Sequence, residues 1–143
     1  MKFKLALSAL AALGVVFSAS AMNRWNALSM LETGDNDYAV GHCGEISRFQ
    51  IRPQLWPGGN PRNPEAALTV ARRIMHARVD RFVQTHKHLP TDFQFYVLWN
   101  APSEVDHPDH CVAERAQRFA NLVERDEHPS QTASTFRRTM SAS

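Results

Sequence analysis

Over 143 residues the chain carries 16 lysines and arginines against 14 aspartates and glutamates, with only two cysteines. Lys2 and Lys4 fall in the first 21 residues, so the other 122 hold 14 basic and 14 acidic side chains, a balance that gives no support to nucleic-acid binding. That length suits one domain, and the apolar run from Leu5 to Phe17 is shorter than the roughly 20 residues a membrane-spanning helix requires.

Residues 1–21 have the pattern of a secretory signal: Lys2 and Lys4, the apolar run, then Ala19-Ser20-Ala21 as a small-residue cleavage site. Cleavage after Ala21 would leave a chain beginning at Met22, without stable membrane insertion, in the periplasm or secreted. No cysteine follows the apolar run to take a lipid anchor. Cys43 and Cys111 would then meet an oxidising compartment, where a disulfide is the leading reading and two free thiols the alternative. No Cys-His signature points to a nucleophilic cysteine.

The domain is expected over residues 22–126. Asn23 can cap a helix from Arg24 to about Thr33, with Trp25, Leu28 and Leu31 as its apolar stripe and Gly34 as a left-handed terminus. Glu32 lies four residues after Leu28 and seven after Trp25, which turns its carboxylate toward the apolar face. Desolvation there raises a carboxyl pKa toward the range of a proton donor, whereas the plainer alternative is a helix-end glutamate bonded to nearby backbone or to an arginine.

Asp35 to Val40 reads as a loop. From Gly44 to Ile51 there is no clean period, and the β-branched Ile46 and Ile51 allow a short strand. Trp56 to Pro64, with three prolines and two glycines, is a break. Asn63 and Pro64 open a long helix to about Thr85, with Leu68, Ala71, Met75, Val79, Phe82 and Val83 at helical spacing, and this is expected to be the core helix. Its charged residues Arg72, Arg73, Arg78 and Arg81 read as a solvated face or as a patch for an anionic polymer.

Leu89 to Ala101 pulls two ways. Phe93, Phe95, Val97 and Trp99 alternate as a strand would, while Phe93, Tyr96, Val97 and Asn100 fit a helix capped by Thr91. Asp109 can cap a last helix to about Asp126, with Val112, Ala116, Phe119, Ala120 and Val123 as its stripe. The cluster Asp106, His107, Asp109, His110 and Cys111 matches no zinc spacing, so neither metal nor cofactor is expected. Residues 127–143 contain almost nothing apolar and are expected to be a disordered tail.

Glu32-Thr33-Gly34, Asn36, Ala39-Val40, Gly44, and Gln50 with Pro53 three residues on resemble, without a gap, the soluble lytic transglycosylase pattern. That pattern runs Glu-Ser-Gly, Asn, Ala-Val, Gly, then Gly-Leu-Met-Gln and Pro. Trp99-Asn100-Ala101-Pro102 resembles the same family's Tyr-Asn-Ala-Gly, and the likeness covers about residues 25–105. The resemblance implies a mainly α, lysozyme-like α+β fold with a small irregular or β-hairpin segment after the catalytic helix, and it favours helix over strand before Asn100. It further implies peptidoglycan glycan strands as partner, with Glu32 serving as acid and then base while the substrate's N-acetyl group stabilises the intermediate.

By that resemblance Gln50 and Asn100 line the substrate cleft; Tyr96 is a further candidate for substrate contact, and Arg48, where the chain departs from the pattern, could touch an anionic peptide stem. Asp35, Asp37 and Glu45 are candidates for a second carboxylate, which a hydrolytic lysozyme mechanism would need. The chain departs from the pattern at Ser47-Arg48, where the family has Gly-Leu, and at Pro102, where it has Gly. A catalytically silent wall-binding or inhibitory module on the same fold is the alternative, and a secreted helical domain that binds no glycan is the third. Neither the oligomeric state nor the product chemistry follows from these residues.

Overall fold

The computed structural model describes residues 22–124, so the expected signal segment 1–21 and the tail 127–143 lie outside the described residues. Within them the protein is mainly helical, with four α-helices and two single-turn 3₁₀ segments, Pro53–Leu55 and Pro102–Glu104.

Each helix begins where a polar side chain can take up its free amides. α1 (Arg24–Thr33) is capped by Asn23, which accepts the amides of Trp25 and Asn26, and it ends at Gly34 with φ 66. α2 (Pro64–His86) is capped by Asn63 and ends at Lys87. α3 (Asp92–Asn100) has a full capping box between Thr91 and Gln94. α4 (His110–Glu124) starts behind Asp109, which accepts the Val112 amide at 2.8 Å.

α3 packs against both α4 and α2, and α1 packs on α4. Phe95, Tyr96, Val97, Leu98 and Trp99 are all buried, so α3 rather than the longer α2 is the central helix. A helix buried on every side needs no polar face, and this removes the period that would have separated helix from strand in the sequence. Phe119 of α4 has no exposed surface and lies against Phe95 and Tyr96 at ring-centroid distances of 5.8 and 5.6 Å. No helix among the described residues is long and apolar enough to cross a membrane.

Between α1 and α2 the chain makes only two isolated antiparallel bridges, Val40 to Ile46 and Ile46 to Ile51. The hairpin-like segment expected after the first helix is reduced to these. Ser47 (φ 69) and Gln50 (φ 50) adopt left-handed backbone, which turns the chain back on itself and prevents a longer ladder. Thr33 fastens this segment to α1, its hydroxyl donating to the Arg48 carbonyl at 3.0 Å.

Candidate active site

Glu32, one residue from the end of α1, has a side chain only 6 % exposed. Its Oε1 accepts the Tyr96 hydroxyl at 2.8 Å, and its Oε2 accepts Nη2 of Arg115 at 3.3 Å. Tyr96 is fully buried on α3, and one turn later Asn100 Nδ2 donates to the tyrosine oxygen at 3.5 Å. Burial pushes the Glu32 carboxyl above its ordinary value of 4.5, against Arg115 and the Tyr96 hydrogen bond, and the nearby Glu45 adds to the rise. Burial and the Glu32 charge also hold the Tyr96 phenol well above its usual range, so Tyr96 remains a donor.

The acid opens into a cleft of about 340 Å³. Glu45, Gln50 and Asn100 line it, and Ile51, Leu55, Ile74 and Trp99 form its apolar walls. Glu45 Oε2 accepts the Cys43 amide at 3.0 Å, and the left-handed turn closed by Gln50 N–H on the Ser47 carbonyl (3.1 Å) brings the Gln50 amide alongside. Gly41 makes room for both side chains: a Cβ there would run into Gln50 Oε1 and Glu45 Oε2.

Four expected site residues do not line the cleft. Arg48 does not line the cleft; its Nε and Nη2 grip the two oxygens of Asp37 at 2.6 and 2.9 Å, and Asp35 lies 3.8 Å from its Nη1. Asp35 also accepts the hydroxyl of buried Ser29. These groups tie the loop to α1, and the Arg48 hydrogen bonds hold the Asp37 carboxyl below its ordinary value. Glu45 is therefore the one second-carboxylate candidate of the three that reaches the cleft. Tyr96 sits behind Glu32, where it contacts the acid rather than the open space.

The Cys43 to Cys111 bridge is not formed. Both thiols are free and exposed, one in the loop and the other in the first turn of α4. Bonding would require these two elements to meet with α-carbons within about 7 Å, which oxidising conditions alone do not arrange. No group of three or more metal-ligating side chains occurs among the described residues; Asp106 instead bonds His86 Nε2 at 2.9 Å.

Reading the sequence missed three arginines of the cleft: Arg52, Arg78 and Arg115. Arg78, expected on a solvated face or polymer patch, is half-buried, and Nη1 donates to the Leu98 and Trp99 carbonyls at 2.8 and 2.5 Å, closing the end of α3. The patch itself is dispersed, since Arg72 lies over Trp25 and Arg73 reaches the Leu55 carbonyl. A signal for two of the three was present: Arg78 stands three residues after Met75 and four before Phe82, and Arg115 three after Val112 and four before Phe119, so each borders its helix's apolar stripe. Compared with family models, with curated proteins and with solved structures, the chain matches none.

Proposed function

We propose that this protein is an exported, lysozyme-like enzyme that cleaves the β-1,4 bond between N-acetylmuramic acid and N-acetylglucosamine in peptidoglycan, with Glu32 as its acid and base. The observation that carries this reading is the state of Glu32: a buried carboxyl with a raised pKa, held by a buried tyrosine and open to a polar cleft. Such an acid retains its proton at a pH where an exposed glutamate has lost it, and it can pass that proton to a glycosidic oxygen. Tyr96 engages Oε1 from the core side, which leaves Oε2 as the atom that would deliver the proton. Arg115, 41 % exposed, has room to turn aside when substrate enters.

The loop conformation supports the transglycosylase resemblance at a point where the residue types depart from it. Ser47 stands where the family pattern has Gly, and its backbone holds φ 69, the left-handed region that Gly favours. Gly44, at another glycine of the pattern, holds φ 81. Asn100 and Ala101 close a helix, as they would in the family. With Asp35 and Asp37 occupied by Arg48, a reaction that uses one glutamate and the substrate's N-acetyl group places the least demand on the residues present; Glu45 is the side chain through which a two-carboxylate route would run.

The wall-binding or inhibitory module has one observation in its favour: Arg115 pairs with Oε2 and favours the ionised form, in which Glu32 has no proton to donate. Incubating purified protein with peptidoglycan and identifying fragments by mass spectrometry separates the readings. Anhydro ends support the transglycosylase, reducing ends support the hydrolase, and binding without fragments overturns the enzyme.

A further inference from the structure

The glycan reading assigns no role to two of the cleft's arginines, and the charges around them do not balance. Glu32 pairs with Arg115, and Glu45, the one other carboxylate of the cleft, bonds the Cys43 amide and makes no ion pair with either arginine, so three cationic side chains line the cleft against two anionic ones. Arg52 and Arg78 line the same cleft, and among the described residues neither has a carboxylate within ion-pairing distance. Arg78 commits Nη1 to the end of α3, while its Nε and Nη2 and the whole Arg52 guanidinium make no hydrogen bond within the described residues. Burial lowers the Arg78 pKa, and the charge of Arg52 lowers it further, which shows that the two guanidiniums stand close enough to repel. Neighbouring cations without a carboxylate partner in a cavity are the usual counterpart of an anion, and the planar guanidinium favours a carboxylate.

Resting on that glycan reading, we propose that Arg52 and Arg78 form an anion subsite of the cleft that binds a carboxylate carried by the glycan strand. Space exists for whatever bears it. A second cavity of about 440 Å³ shares Arg78 and Pro102 with the first and continues between α2 and the Ser103–Val105 segment, with apolar walls at Ala77, Leu98 and Val105 and a further cation at Arg81. Two parts of a wall strand offer the required chemistry: the lactyl group on the muramic sugar, which becomes a free carboxylate once the peptide is removed, and the side-chain and terminal carboxylates of the peptide itself.

The test measures binding in the Glu32→Gln background, which prevents turnover, with three probes: peptide-bearing wall strands, strands stripped of peptide by an amidase, and the neutral hexamer of N-acetylglucosamine. Arg52 is exposed, so its substitution spares the core, whereas Arg78 holds the end of α3 and is left intact. Arg52→Gln should weaken a carboxylate-bearing probe about fivefold and leave the neutral hexamer unchanged, with Arg52→Lys retaining most of the affinity. Loss on the stripped strand places the partner on the sugar; loss confined to the peptide-bearing strand places it on the peptide. Equal loss on all three probes, or loss on none, overturns the anion subsite while the glycan reading stands. If no probe binds and wild type releases no fragments, the glycan reading fails and the subsite falls with it.

Discussion

Two carboxylates of one stretch of chain, Glu32 and Asp37, each meet an arginine, and burial sends them in opposite directions. At Asp37 the Arg48 fork makes two short hydrogen bonds near the surface, and the carboxyl is held below its ordinary value. At Glu32 a single longer contact from Arg115 does not offset desolvation, and the carboxyl is raised. Fixed, solvated pairing makes a fastener; incomplete pairing in a buried wall makes a group that can change its protonation state. Resemblance of residue types in a loop therefore says less about catalysis than the surroundings each carboxylate reaches.

The comparison breaks or sharpens on activity first. Glu32→Gln keeps the shape but removes the transferable proton, so release of wall fragments should fall about a hundredfold or more, whereas Asp37→Asn should leave turnover within a few-fold of wild type. If Asp37→Asn falls as far as Glu32→Gln, the assignment of fastener and acid is wrong.

Stability should show the reverse order. Arg48→Ala removes the bidentate hydrogen bond to Asp37 and is expected to cost about 1–2 kcal/mol in denaturant unfolding. Glu32→Gln should instead leave the fold unchanged or more stable at neutral pH, because a raised carboxyl pKa penalises the folded state once the unfolded chain ionises. That penalty is absent below 4.5, grows as pH rises through and beyond 4.5, and is complete above the folded-state value. Asp37 runs the other way: its contribution is present above its ordinary 3.8 and is lost as pH falls through the depressed folded value. Thermal melts of Glu32→Gln and wild type should thus converge toward acid pH, and a variant that melts lower than wild type at neutral pH would contradict the desolvation account.

A finer distinction concerns Arg115. Removing it as Arg115→Gln takes away a charge that favours ionised Glu32, so the alkaline limb of the activity profile should move to higher pH. An alkaline limb that stays in place would mean that another group governs it. The smallest effect is expected at Ser47, where Ser47→Gly relieves a left-handed backbone but gives up the hydroxyl that accepts the Phe49 amide at 3.3 Å. These oppose each other within about 1 kcal/mol, and calorimetry should find a net change no larger than that.

What the sequence determined by itself is local. Asn23, Asn63, Thr91 and Asp109 begin the four helices as their side chains require, Gly34 ends the first, and the spacing from Leu28 turns Glu32 inward. All of these signals act across a few residues. Tertiary structure decided the rest, because the groups that set the Glu32 chemistry lie 64 and 83 residues away, at Tyr96 and Arg115. Desolvation depends on which helices converge on a carboxyl, and no local period encodes that. The same reason covers Arg48, whose partners Asp37 and Asp35 lie across the loop, and the two cysteines, which an oxidising compartment would favour joining but which stand as free thiols.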